Sequence, residues 1–224
     1  MGVSTSIPGQ PSLPKPRLRG VFHQWAFFVA LAAGIALVVA ASGGRAVLAV
    51  AIYATSVAAL FGCSALYHRV NWSSPAVRRW MRRLDHSMIF FLIAGTYTPF
   101  ALLVLDGTLA TAILVAVWGG ALAGIVLNLA WIEAPKWVTA LVYVAIGWVA
   151  IAAFPEMISE LGAVAVALVA VGGVLYTGGA VVYALQKPDP APAVFGYHEI
   201  FHVLVIAAAT LQYVVIAFYV LPRG

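Results

Sequence analysis

Seven apolar stretches, each about as long as a membrane-spanning helix, constrain the fold of this chain more than any other feature. An α-helix needs roughly 20 apolar residues to cross a bilayer core of about 30 Å. The stretches occupy residues 21–41, 46–67, 88–105, 108–131, 137–154, 161–185 and 200–221. Hydrophobic residues make up 64% of the 224 residues and charged residues only 8%, so a soluble domain could not cover this apolar surface. We therefore predict an all-α bundle of seven transmembrane helices, a multi-pass protein of the cell membrane.

Short polar turns between the stretches indicate a single membrane domain at residues 21–224. The turns at residues 42–44, 106–107, 133–135 and 155–156 are short enough to join antiparallel neighbours, and residues 186–192 form a Pro-rich connector. Residues 1–20 are rich in Pro, Ser and Gly and include three basic residues, which is typical of a disordered cytoplasmic tail. A cleaved signal peptide is the weaker interpretation, because the stretch at 21–41 is longer than a usual signal core.

The distribution of Lys and Arg predicts the orientation of the bundle. Cytoplasmic segments of membrane proteins carry an excess of these residues. With the N-terminus inside the cell, the cytoplasmic segments contain ten of the twelve basic residues, and the outer segments contain only Arg45 and Arg223. We therefore predict a cytoplasmic N-terminus and a C-terminus outside. The basic surface suits anionic headgroups, so we expect membrane lipids as partners, and no nucleic acid, because the chain offers no soluble basic domain.

This topology brings five polar residues from three helices into one layer at the inner side. Ser64 and His68 lie at the end of the second span, Asp85 at the start of the third, and His198 and His202 at the start of the seventh. An ionisable side chain in a membrane span is costly and indicates a functional site. Residues four apart share one helix face, so Ser64 lies one turn deeper than His68, and His202 one turn deeper than His198. We predict a polar pocket on one side of the membrane.

Three imidazoles that meet at one point are a ligand set for zinc. A catalytic zinc site usually has three protein ligands and one open position. We predict His68, His198 and His202 as the metal ligands. Asp85 is then the candidate general base, and Ser64 is the candidate group that orients a ligand or donates a hydrogen bond to a developing oxyanion.

Each of these residues also has a simpler interpretation. The three histidines can be interfacial residues that bond to the backbone or to headgroups. Asp85 can cap the third helix, where the helix dipole favours an anion, or pair with Arg82. Ser64 can donate to a backbone carbonyl of its own helix. Two further histidines are expected away from the pocket: His86 around the helix from Asp85, and His23 at the membrane interface.

The run HEIFH at residues 198–202 matches H-E-x-x-H, the signature of zinc metalloproteases in which the glutamate is the general base. The run LDG at residues 105–107 is similar to the aspartate motif of intramembrane site-2 proteases. In that family the aspartate segment follows the histidine helix, whereas here it precedes it and lies at the outer side. The topology therefore disfavours a protease, and Glu199 remains beside the ligands as a residue that tunes them.

Three motifs resemble one known family when they are taken together. SALYHR, LDHSMIFFLIAGTYTPF and FGYHEIFH, in this order on the second, third and seventh spans, are similar to the haemolysin III branch of the progestin and adipoQ receptor family. The resemblance runs from the second span to the C-terminus. It implies a seven-helix fold with a cytoplasmic N-terminus and a zinc ion held by three histidines, which by position are His68, His198 and His202. Asp85 and Ser64 match the aspartate and the serine of the family.

Two positions qualify the resemblance. Eukaryotic relatives commonly have glutamine in place of Glu199, which disfavours this residue as an obligatory base. Many haemolysin III proteins begin the first span with E-x-x-N-x-x-x-H, whereas here the stretch reads LRGVFHQWAF and retains only His23. A role for that first motif is therefore not carried over to this chain.

The family also groups with alkaline ceramidases, which implies a zinc-dependent hydrolase that acts on an amide or ester bond of a membrane lipid. Two alternatives from other classes stay open. One is a membrane sensor or homeostasis protein in which the zinc is structural. The other is an oligomeric pore-forming cytolysin, although a pore needs a polar lining across the whole membrane and the outer half of one protomer offers none. The sequence is compatible with any oligomeric state.

Overall fold

Seven membrane-length helices make up most of the part of the chain that the computed structural model describes, residues 15–224. They are α1 Val21–Ala40, α2 Gly44–Arg69, α3 Pro75–Leu103, α4 Gly107–Ala130, α5 Lys136–Leu161, α6 Ala163–Leu185 and α7 Tyr197–Arg223. Each is long and apolar enough to cross a bilayer. The predicted all-α fold with seven spans is confirmed, and the chain is a multi-pass membrane protein.

Helix α3 begins much earlier than the apolar pattern predicts. Ser74 is its N-cap, with a side chain that accepts a hydrogen bond from the backbone N–H of Val77 at 3.5 Å, and Pro75 occupies the first turn. The first turns of the helix contain four arginines, so a search for apolar stretches does not detect this part of the helix. Asp85 is ten positions after Pro75, about 15 Å along the helix axis. The interpretation of Asp85 as a helix cap is therefore wrong.

Helix α5 continues beyond the predicted turn at residues 155–156. Its regular part ends at Gly147, a 3-10 stretch runs over Trp148–Ala153, and a last helical segment runs over Phe154–Leu161. Pro155 lies in the first turn of that segment, where a missing N–H is tolerated. The hydroxyl of Tyr97 donates to the Gly147 carbonyl at 2.6 Å and accepts from the Ala150 N–H at 2.7 Å, which satisfies backbone groups where the helix changes form.

One end of the bundle carries a dense group of arginines, and we call it the basic end. Here α2 and α6 end and α3 and α7 begin, and the group consists of Arg69, Arg78, Arg79, Arg82 and Arg83. The sequence predicts a disordered tail at residues 1–20. Residues 1–14 lie outside the described residues. Residues 15–20 pack at the basic end, where the N–H groups of Arg17 and Leu18 donate to the carbonyls of Ala193 and Val194 in the α6–α7 connector.

Small residues allow the helices that carry polar side chains to approach closely. A Cβ atom on Gly95 of α3 would lie 2.2 Å from the hydroxyl oxygen of Ser56 on α2. A Cβ atom on Gly124 of α4 would lie 2.2 Å from the ring of Phe90 on α3. Membrane helices commonly pack through such small residues, because lipid tails are as apolar as the side chains. These contacts hold α2, α3 and α4 together, and with them the positions of His68 and Asp85.

Candidate metal centre

Three buried histidines form a cluster at the basic end of the bundle. His68 lies in the last turn of α2, and His198 and His202 occupy one face of the first two turns of α7. Each histidine offers one ring nitrogen such that the three atoms lie within 4.8 Å of one another. The Nε2 atoms of His68 and His198 are 3.1 Å apart. The three residues that the sequence selects from two distant segments therefore meet at one point.

The cluster fits a tetrahedral metal ion. Zinc binds histidine nitrogens at about 2.0–2.1 Å, which places two ligand nitrogens of a tetrahedron roughly 3.3 Å apart. The separation of 3.1 Å between His68 and His198 is close to this value. The Nδ1 atom of His202 is buried and has no hydrogen-bond partner among residues 15–224, which is costly unless a ligand is bound. The cluster is able to hold a metal ion, and zinc as that ion stays a prediction.

Asp85 is buried and faces the histidine cluster. Its Oδ2 atom lies 3.7 Å from the Nε2 atom of His68. Arg82, the alternative partner, instead pairs with Glu133 at 3.1 Å. The interpretation of Asp85 as the partner of Arg82 is therefore wrong. Asp85 therefore lies close to the His68 ring and on the wall of a cavity, and its role as a site residue stays a prediction.

His86 also lines the cavity, and its predicted position outside the pocket is wrong. Its Nδ1 atom lies 3.5 Å from Oδ2 of Asp85, and its Nε2 atom lies 3.1 Å from the hydroxyl of Tyr183 on α6. The hydroxyl of Tyr143 on α5 donates to the backbone carbonyl of His86 at 3.1 Å. Contacts from α5 and α6 thus hold His86 against the carboxylate of Asp85. The predicted position of His86 follows only from its angle to Asp85 around α3, which does not reveal these contacts.

Ser64 is buried one turn from His68 and lines the same cavity as Asp85 and His86. Other hydroxyls in the bundle donate to carbonyls of their own helix, such as Ser56 to Tyr53 at 2.7 Å and Thr98 to Ala94 at 2.9 Å. Within residues 15–224 the hydroxyl of Ser64 makes no such bond. The simpler interpretation of Ser64 as a backbone-bonded serine therefore does not describe this residue.

His23 is a residue of the centre that the sequence places wrongly at the membrane interface. It is only 2% exposed, and its ring stacks on that of His202 with centroids 3.7 Å apart and planes 9° apart. Both of its ring nitrogens lack a partner among residues 15–224. Gly20 has a φ of 79° and lies so close to α2 that a Cβ atom would be 2.6 Å from that of His68. This contact brings the start of α1, and with it His23, into the centre.

The stacking of His23 on His202 predicts different outcomes for two substitutions. His23→Ala removes the ring that fixes the orientation of His202, and we expect metal affinity to fall about 10-fold or more, as for other groups that orient metal ligands. His23→Phe retains a flat ring, so we expect its affinity to stay close to that of the wild type. Competition with a coloured chelator measures both affinities.

Trp25→Ala on the same helix is the control, because Trp25 is 65% exposed and lies away from the cluster. Equal losses in His23→Phe and His23→Ala would contradict the stacking role. They would assign the effect to the nitrogens of His23.

Glu199 lies between two ligands in the chain, but other groups occupy its carboxylate. The Oε1 atom pairs with Nε of Arg19 at 2.5 Å, and Oε2 accepts the N–H of Gly196 at 2.9 Å. Asp106 lies at the opposite end of the bundle, at the start of α4, where its backbone N–H donates to Glu156. Neither carboxylate has the position that a protease mechanism requires, which agrees with the argument from topology.

A long cavity extends from the cluster into the bundle. It contains about 1490 Å³ of empty space, with the open solvent at its mouth included. His198 and Asp85 line one end, and Leu105, Ile113 and Met157 line the other, so the cavity covers most of the thickness of the bundle. Most of its wall is apolar. The apolar pattern of single helices does not reveal this cavity, because its width depends on how α3, α5, α6 and α7 are spaced.

Comparisons with known proteins agree with the motif resemblance. The sequence model of a family described as Haemolysin-III related matches residues 12–213. Hemolysin-3 of Bacillus cereus is 33% identical over 179 residues, which cover 80% of this chain and 78% of the relative. The Hemolysin-3 homolog of Bacillus subtilis is 31% identical over 185 residues, which cover 82% of this chain and 83% of the relative.

Proposed function

The chain belongs to the haemolysin-III related family, and from that membership we propose that it is a zinc-dependent hydrolase of amide or ester bonds in membrane lipids, with its basic end at the cytoplasmic face. One observation carries the proposal: a buried three-histidine cluster with an adjacent carboxylate opens onto a long apolar cavity. The cluster supplies a position for chemistry. The cavity supplies a binding site for an apolar chain that is attached to the reacting bond.

His68, His198 and His202 would hold the zinc ion. A zinc ion in a three-histidine set with an open position acts as a Lewis acid that polarises a carbonyl group and lowers the pKa of bound water. The resemblance of the three motifs to a family with a three-histidine zinc site supports zinc as the metal. The contact between His23 and His202 would keep one of the ligand rings in place.

Asp85 would be the general base. A base must lie within hydrogen-bond reach of the proton that it accepts, directly or through one water molecule. As a water oxygen attacks the acyl carbon, the carboxylate of Asp85 takes the water proton, and it later returns this proton to the leaving nitrogen or oxygen as the bond to the acyl carbon breaks. The ring of His86, 3.5 Å away, would orient the carboxylate during both transfers.

Ser64 and the cavity wall would position the substrate. The hydroxyl of Ser64 would donate to the acyl oxygen, where negative charge develops in the transition state. The apolar wall would bind the acyl chain and exclude bulk water, which strengthens polar interactions at the reacting end. Such a cavity suits a membrane lipid, because its chain can move from the bilayer between helices without crossing water.

Release of fatty acid from reconstituted vesicles tests the proposal. We expect zinc-loaded protein to release fatty acid from vesicles that contain an N-acyl lipid or an O-acyl lipid, and we expect a chelator to abolish the release and added zinc to restore it. Mass spectrometry of the free fatty acid provides the measurement. A folded, zinc-loaded protein that hydrolyses neither lipid class would contradict the proposal and favour a sensor with structural zinc.

Leakage of a dye from the same vesicles separates the proposal from membrane lysis, the activity after which the Bacillus cereus relative Hemolysin-3 is named. A hydrolase without pore activity releases fatty acid before the dye leaks. The wall of the cavity is mostly apolar down to Leu105 and Ile113, whereas a pore needs a polar lining. This supports release of fatty acid before leakage of the dye. Leakage without fatty-acid release would instead favour a pore.

A further inference from the structure

Gln212 is a buried polar residue deep in the cavity, far from the histidine cluster. It lies on α7 ten positions after His202, about 15 Å along the helix axis. The residue is only 5% exposed, and it lines the same cavity as His198 and His202. A polar side chain inside a membrane span is costly, and such residues are commonly functional. Neither the metal centre nor the proposed hydrolysis uses this residue.

The amide of Gln212 is satisfied on one side only. Its Nε2 group donates to the backbone carbonyl of Val169 on α6 at 3.3 Å. Its Oε1 atom is buried and has no partner among residues 15–224. Gly172 provides the space for this amide, because a Cβ atom there would lie 2.7 Å from Nε2. The contact with Val169 assigns the nitrogen, so the free atom is the acceptor.

Tyr176 adds a second unpaired group to the same region. It lies one turn along α6 from Gly172, on the same face, and it also lines the cavity. Its hydroxyl is buried and has no partner among residues 15–224. The hydroxyl can donate a hydrogen bond, whereas Oε1 of Gln212 can only accept one. We infer from the shared face of Gly172 and Tyr176 that both groups border one position in the cavity, where they match a ligand group that donates and accepts at once.

We propose that Gln212 and Tyr176 recognise a hydroxyl group on the apolar chain of a bound lipid, at a fixed depth from the histidine cluster. The ligand hydroxyl donates to Oε1 of Gln212 and accepts from the hydroxyl of Tyr176. An unsubstituted chain leaves both protein groups unpaired, which costs the free energy of lost hydrogen bonds. The inference rests on the proposed function for the identity of the ligand as a lipid, and it adds hydroxylated chains as the preferred class.

Binding of ricinoleate and oleate to the detergent-solubilised full chain tests the inference, because these fatty acids differ only in one hydroxyl in the middle of the chain. Competition with a fluorescent fatty acid measures both affinities. We expect ricinoleate to bind about tenfold more tightly than oleate, as one good hydrogen bond to a buried group implies. In Gln212→Leu we expect oleate affinity to be retained and the preference for ricinoleate to be lost.

Tyr176→Phe removes a single oxygen atom, so it tests the inference even if Gln212→Leu does not fold. Thr210→Val is the matched control, since Thr210 is exposed on α7 and donates to its own helix. Equal binding of the two fatty acids by the wild type, or a preference that survives in both variants, would overturn the inference and leave the proposed function intact. Binding of neither fatty acid would overturn the lipid cavity as well.

Discussion

Wild-type protein purified in detergent without chelators is expected to contain close to one zinc ion per chain, and His202→Ala is expected to contain almost none. The loss follows from the geometry, because among residues 15–224 three candidate protein ligands converge within 4.8 Å, and the two that remain would hold zinc poorly. The affinity should fall by more than the roughly 10- to 100-fold that loss of an outer partner costs. Elemental mass spectrometry measures the zinc content.

His86→Ala is the matched control for His202→Ala, since it removes an imidazole from the same cavity without removing one of the three clustered rings. It should retain most of the metal. A folded wild type without metal would show that the cluster is not a metal centre. Equal metal loss in both variants would show that the substitutions act through the fold, and a thermal unfolding curve of each variant would then identify the loss of stability.

Asp85→Asn is expected to lower the rate of fatty-acid release by about 10²- to 10⁴-fold, the range that general acid–base catalysis contributes. Asparagine has nearly the same shape as aspartate but cannot accept the proton. The zinc content should remain that of the wild type, because Asp85 lies 3.7 Å from the His68 ring and is not one of the three clustered ligands. Fatty-acid release from reconstituted vesicles and metal content, measured on the same preparation, give both values.

Glu133→Gln is the control for Asp85→Asn, because Glu133 is an exposed carboxylate at the same end of the bundle that pairs with Arg82. Hydrolysis by Asp85→Asn at the wild-type rate would require another base. Loss of metal together with activity would mean that Asp85 orients His68 rather than moving a proton. The two measurements therefore separate a catalytic role from a positioning role.

The sequence predicts the spans and the histidine cluster because both depend on regular spacing. Length and apolarity identify seven membrane helices, and the interval of four residues between His198 and His202 puts them on one helix face. Antiparallel neighbours then bring His68 to the same end of the bundle. None of these steps needs knowledge of how far apart two helices lie.

Other features depend on contacts between helices, which a linear pattern does not contain. The sequence places His23 at the interface because it begins an apolar span, whereas the contact of Gly20 with α2 brings it onto His202. Likewise, the sequence does not indicate Gln212 as a site residue, because its side chain carries no charge. The space beside Gly172 nevertheless makes it a buried residue of the cavity. Such positions require the packed structure.

Helix boundaries also escape the apolar pattern where charge or proline interrupts it. The arginines of α3 precede the apolar part of the helix. The predicted span therefore begins at residue 88, whereas the helix begins at Pro75. In α5, Pro155 marks a turn in the sequence, but it lies in the first turn of a new helical segment, where its missing N–H carries no cost. Both predicted boundaries are wrong because they follow the amino-acid composition, whereas a helix ends where its backbone hydrogen bonds end.

The histidines of the centre belong to helices that are far apart in the chain, which has a consequence for biosynthesis. His23 and His68 belong to α1 and α2, whereas His198 and His202 belong to α7, which leaves the ribosome more than a hundred residues after α2. Contacts between residues so distant in the chain form late in folding. Helices α1 and α2 therefore enter the bilayer with only His68 of the three clustered histidines, and the cluster is complete only after α7 has been inserted.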